Sequence, residues 1–168
     1  MSKQVQDAYI VAATRTPIGR SHKGSFRHLR PDDLLALALR SALAQVPGLD
    51  PKAIEDIICG CAIPEAQQGL NVARIGAILA GLPNSVGGIT VNRFCASGLS
   101  AVAMAADRIR VGEADVMIAA GTESMSMVPM MGNSPSLSPA IFRNTQEVEQ
   151  YGIAYGMGLT AEKVAQQW

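Results

Sequence analysis

Cys95 is the residue with the clearest capacity for covalent chemistry. It stands in VNRFCASGLSAVAMAADRIRVG, residues 91–112. An apolar run precedes it, and Ala96, Ser97, Gly98, Ser100 and Ala101 crowd in behind it. A lone cysteine has two readings. It is a small buried hydrophobe, or it is a nucleophile held in its reactive, ionised form by the start of a helix. The position favours the second. A strand should end near Arg93 and a helix begin near Cys95, and helix N-termini offer partial positive charge and unpaired N–H groups. Those N–H groups suit an oxyanion. The small neighbours leave room for an acyl chain. No charge occurs from Phe94 to Ala106, so the helix is expected to be buried nearly all round.

A thiolate nucleophile also wants a base, usually histidine, and a proton donor for the leaving group. The two histidines, His22 and His28, lie in an early loop without a partner pattern. Spacing alone therefore supplies a nucleophile without its acid and base. The other two cysteines, Cys59 and Cys61, stand two apart in IICGCAI, on one face of a strand. They lack the paired ligand spacing of a zinc site, so they read as buried thiols and no metal is expected.

Two other stretches imitate binding motifs. GMGLTA, residues 156–161, fits a dinucleotide pattern but follows no convincing strand. RTPIGRSHKGSFRHLR, residues 15–30, carries five cations and no acid. It could touch phosphate or be a solvated loop. No P-loop and no G-x-S-x-G elbow is present.

The elements that would position Cys95 follow from apolar periodicity. Tyr9 to Ala13 reads as a strand. Pro31 opens a helix, with Asp32 and Asp33 in its first turn and Leu35, Leu39, Ala42 and Val46 on one face. Asp56 to Cys61 is a strand, Val72 to Ala80 a helix and Ile89 to Arg93 a strand. Cys95 to Val111 is a long helix stopped by Gly112, and Val116 to Ala120 is a strand. This βαβαβαβ order predicts an α/β fold with a largely parallel sheet. Composition shifts after Gly121 to a stretch rich in Met, Ser, Pro and Gly, so a boundary is placed between residues 1–121 and 122–168. Thr160 is a candidate cap for a last helix whose apolar face holds Ala161, Val164, Ala165 and Trp168. That stripe stops in mid-pattern, which suggests part of something longer.

The 168 residues are 48% hydrophobic and 17% charged, with fourteen basic and fourteen acidic residues. That composition predicts a packed core and gives no overall basic balance for nucleic acid. No apolar run is long enough to span a membrane. The N-terminus lacks a secretory pattern, so the chain is expected to be cytoplasmic.

VNRFCASGLSAV resembles the nucleophile signature of the thiolases. RTPIGR, GLNVARIGAILAGLP, AAGTESMSMVP and MGLTAEKVA resemble thiolase segments in the same order, so the resemblance runs from about Tyr9 to Trp168. It is nearest in flavour to degradative 3-ketoacyl-CoA thiolases (acetyl-CoA acyltransferases). It implies the N-terminal half of a thiolase-like α/β fold, lacking its last strand, plus the start of an inserted loop domain. It implies acyl-CoA and CoA as substrates, no separate cofactor, and a homodimer or homotetramer for the full-length enzyme. Carried over, Cys95 is the acylated nucleophile, and its own N–H is one oxyanion donor. Met157 lies near the acyl or CoA tail, and the segment from Asn71 to Arg74 faces a partner subunit. The family's G-H-P and C-x-G-G-G motifs are absent from these residues. The chain alone is therefore expected to turn over little or not at all. The alternative is a non-catalytic thiolase-like module for acyl binding or interaction.

Overall fold

The computed structural model describes residues 5–130, 136, 138–142 and 155–168. The chain divides into two compact units, Met1–Gly132 and Asn133–Trp168.

In the first unit, the helix Pro31–Leu43 (α1) leads to the strand Asp56–Gly60 (β1). The helix Val72–Ala80 (α2), the strand Ile89–Val91 (β2), the helix Ser97–Arg110 (α3) and the strand Met117–Gly121 (β3) follow. The sheet is parallel, in the order β2-β1-β3. The predicted α/β class is therefore observed. The boundaries have local causes. Pro31 supplies the pre-set φ of a first helical residue, with Asp32 and Asp33 at the positive end of the dipole. Asn71 caps α2 by accepting a hydrogen bond from the Arg74 N–H, and Gly81 closes it at φ 83°.

β1 is buried along its whole length, as a central parallel strand should be. Its alternate residues serve opposite faces. Ile57, Cys59 and, just beyond the strand, Cys61 join Leu35, Leu39, Val72, Ala73 and Ala77 in a core that includes side chains of α1 and α2. Ile58 packs on the other face with Ala101 and Ala105 of α3.

α3 is registered on β1 at both ends. Near its start, Ser97 and Gly98 lie on Gly60. A Cβ placed at Gly60 would come within 2.5 Å of the Ser97 carbonyl carbon. Near its end, Arg108 Nη1 donates to Asp56 Oδ2 at 2.7 Å. Strand and helix thus run antiparallel, with matched lengths.

Several expectations need correction. Tyr9 to Ala13 is not a strand: the segment makes no ladder, and Tyr9, Ile10 and Val11 are exposed at 77%, 80% and 77%. A strand exists only through a neighbour's N–H and C=O groups. This segment instead runs along one wall of a cavity of about 790 Å³, whose lining also includes β3. The bonds at its two ends include Gln6 N–H, just before it, to the Arg110 carbonyl at 3.0 Å, and Gln45 Nε2 to the Ala13 carbonyl at 3.1 Å. Second, α3 is not buried all round. Ser97, Ala101 and Ala105 are buried, whereas Leu99, Val102 and Met104 are exposed. Its charge-free sequence reports small and apolar side chains, not cover on every side. Third, α1 ends at Leu43, before Val46, and a turn carries the chain to Pro47.

The second unit contains the short 3-10 turn Pro139–Phe142 and the helix Met157–Gln167 (α4). α4 starts at Met157 after Gly156, so Thr160 is not its cap; the Thr160 hydroxyl donates back to the Gly156 carbonyl at 3.2 Å. Lys163 Nζ lies 5.8 Å from the centre of the Tyr155 ring. Much of the Met-, Ser- and Pro-rich stretch lies outside the described residues. Among the described residues, no helix is long and apolar enough to cross a membrane.

Candidate active site

β2 delivers the chain to the carboxyl end of the sheet at Val91, and α3 begins at Ser97. The residues between form one tight turn. The Asn92 side-chain oxygen accepts from the Phe94 N–H at 2.8 Å, as asparagine does in turns. Phe94 takes φ 44°, in the left-handed region. Cys95 follows, exposed, one residue before the helix cap Ala96. The Ala96 N–H donates to the Arg93 carbonyl and the Ser97 N–H to the Phe94 carbonyl, both at 3.0 Å. The helix expected from Cys95 therefore starts two residues later, at Ser97, and the thiol belongs to the turn.

Ser97 is 3% exposed, yet its hydroxyl has partners on both sides. It accepts from the Arg93 N–H at 2.8 Å and donates to the Phe94 carbonyl at 2.6 Å. Sequence reasoning counted Ser97 only as a small neighbour. The signal was its place two residues after the thiol, within reach of the incoming backbone.

The three cysteines are thus in different settings. Cys59 and Cys61 are buried at 0% and 1% exposure, and Cys95 is exposed. Burial pushes the Cys59 thiol up to about 12, with a further contribution from Cys61. Burial, then the Glu123 carboxylate, pushes Cys61 up to about 11. Both stay protonated in the folded protein, and as inert core thiols they match the reading from sequence.

A second polar cluster sits at the same end of the sheet. Glu123, just after β3, accepts from the Ala62 N–H at 2.6 Å and from Gln68 Nε2. Gln68 is fully buried, donates to the Ile63 carbonyl at 2.8 Å and accepts from the Ser124 N–H at 3.0 Å. The pair ties the loop after β1 to the loop after β3. Sequence reasoning missed both residues; the signal was a lone acid in the small-residue run AAGTESM.

The remaining candidates are placed as follows. Asn71 does more than cap α2: its Nδ2 donates to the Gly88 carbonyl at 2.8 Å, and the Thr90 hydroxyl donates to its Oδ1 at 2.8 Å. Arg74 Nη2 donates to the Asn84 carbonyl at 3.2 Å. Both therefore brace the approach to β2. Met157 is the first residue of α4, in the second unit, and is 70% exposed. In the basic loop Arg30 pairs with Asp32 at 2.7 Å, and the His22 N–H donates to Ser126 Oγ at 2.9 Å. Among the described residues, no histidine hydrogen-bonds to Cys95.

The chain as a whole is similar to known proteins. The profile of the family described as "Thiolase, N-terminal domain" matches residues 8–168. The chain is 46% identical to a 3-ketoacyl-CoA thiolase of Bacillus subtilis over 166 residues, which is 98% of this chain and 40% of that protein. It is 41% identical to a beta-ketoadipyl-CoA thiolase of Escherichia coli over 98% of this chain and 39% of that protein. Among solved structures, it resembles the Bacillus anthracis acetyl-CoA acetyltransferase at a TM-score of 0.69 and 31% identity, covering 82% of this chain and 36% of that one. The chain spans about two-fifths of the length of these curated relatives. It belongs to the thiolase N-terminal domain family.

Proposed function

We propose that this chain carries the acyl-accepting thiol of a thiolase, and that Cys95 is that thiol. One observation carries the reading: the exposed cysteine stands on a turn at the carboxyl end of a parallel sheet, one residue before a helix cap, in a chain of this family. Ligands of open parallel sheets bind outside the carboxyl ends of the strands.

The chemistry is acyl transfer from a 3-ketoacyl-CoA. Cys95 Sγ attacks the 3-keto carbon, with its own N–H as one donor to the oxyanion. The bond between carbons 2 and 3 breaks, acetyl-CoA leaves after taking a proton at carbon 2, and the shortened acyl group stays on Sγ as a thioester. The thiol of a second CoA then takes that acyl group. The reverse direction is a Claisen condensation. Met157 contacts the acyl or CoA tail in this reading, and the full-length enzyme is a homodimer or homotetramer. Both steps need proton transfer, and no histidine serves Cys95 among the described residues. The isolated chain is therefore acylated slowly and turns over little.

Incubation of the purified chain with acetyl-CoA, followed by intact-mass measurement and peptide mapping, tests this. The expected result is one acetyl group on Cys95, absent from Cys95→Ser, without sustained CoA release. Acylation spread over other residues, or none at Cys95, rules the reading out.

A further inference from the structure

Phe94 holds φ 44° immediately before the candidate nucleophile. Non-glycine residues adopt that region at a steric cost, and phenylalanine has no side-chain polarity to offset it. Something outside Phe94 must impose the conformation. Ser97 is placed to do so. As a residue of the first helical turn it would ordinarily cap forward or face solvent. Here no side chain caps α3, and the Ser97 hydroxyl reaches backward. It accepts from the Arg93 N–H and donates to the Phe94 carbonyl, bracketing Phe94 on both sides. Asn92 adds the third tie, to the Phe94 N–H itself. Gly60 lies directly beneath the Ser97 backbone, so Ser97 cannot sink toward the strand.

We propose that Ser97, assisted by Asn92, is a positioning residue for Cys95: its hydroxyl clasps the left-handed turn at Phe94 and fixes the thiol at the mouth of α3. The proposal rests on the reading of Cys95 as the acylated thiol. Removing the hydroxyl leaves the Arg93 N–H without an acceptor and Phe94 free to relax toward negative φ. Cys95 then departs from its exposed place one residue before the helix cap.

The test is the second-order rate of Cys95 alkylation by iodoacetamide, read by peptide mass spectrometry on the 168-residue chain and set against Cys59 and Cys61. Wild-type Cys95, which is exposed, should react faster than buried Cys59 and Cys61. Ser97→Ala should slow it about fivefold or more, the scale of one lost hydrogen bond. Ser97→Thr, which keeps the hydroxyl, should restore the rate to within about twofold of wild type on the same scale. Protection of Cys59 and Cys61 reports that the fold is intact. A wild-type rate in folded Ser97→Ala, or a Ser97→Thr rate as low as that of Ser97→Ala, overturns the clasp. Should Ser97→Ala expose Cys59 and Cys61, Asn92→Ala decides the matter: slowed labelling supports the clasp and an unchanged rate overturns it. A wild-type Cys95 that takes no acetyl group from acetyl-CoA removes the acyl-transfer reading and the clasp with it. A fast wild-type thiol with an equally fast Ser97→Ala removes only the clasp.

Discussion

At the scale of single residues, burial separates the three thiols, and pH reads the difference. The folded state holds Cys59 and Cys61 well above their ordinary value of 9.0, at about 12 and about 11. The neutral thiol is the form the fold prefers. Their contribution is therefore complete below about pH 9, where folded and unfolded chains are both protonated. It is lost as pH rises through the folded values, because only the unfolded chain ionises in that window. Denaturant unfolding at pH 8, 9 and 10 should show stability falling above pH 9, by up to about 1.4 kcal/mol per pH unit per thiol. Cys59→Ala should flatten the slope. Glu123 offers a second test. Glu123→Ala strips acceptors from the Ala62 N–H and from fully buried Gln68. It should cost about 1–3 kcal/mol at neutral pH by chemical denaturation. Neither Glu123 nor Ser97 was legible in the sequence as a structural tie. The partners of Glu123 are distant in the chain, and those of Ser97, though near, are main-chain groups; neither leaves a periodic trace.

At the scale of elements, legibility followed locality. Val72–Ala80 was readable to the residue because its start and stop are written beside it, in Asn71 and Gly81. Asn71→Ala should lower the thermal midpoint, at about 1–2 kcal/mol for the cap alone. The Gly88 and Thr90 ties add to that figure, whereas Gly81→Ala strains only φ 83° and should cost about 1 kcal/mol. The three strands that pair were likewise found, because a parallel sheet covered on both faces produces apolar runs. Tyr9–Ala13 has the same composition and was misread for that reason: apolarity marks a segment fit to be a strand, while pairing is decided by which backbone lies alongside. The turn at Phe94 was hidden in the opposite way. Its residue type argues against a left-handed φ, and the conformation is imposed from Ser97 and Asn92.

At the scale of the whole molecule, one group of open features lies beside β3. Its outer edge has no ladder partner among the described residues, and the Tyr9–Val11 side chains are exposed beside the cavity. Unpaired edges and contiguous apolar surface invite association. The purified chain should therefore self-associate as its concentration rises, visible in sedimentation velocity. Ile10→Lys should weaken that association while leaving the thermal midpoint unchanged, since residue 10 is 80% exposed.

Gly60 contributes only a hydrogen atom where α3 begins, so the mouth of the helix rests on strand backbone. A contact between two main chains contains no side chain to vary. Substitutions among Ile58, Ala101 and Ala105 alter how the rest of α3 seats, but the height of Ser97 above β1 is set by atoms common to every sequence. The cysteine's place in space is thereby insulated from drift in the core, and on the strand side residue 60 carries the sensitivity. A single methyl there would do what many core changes do not: lift the thiol off the sheet.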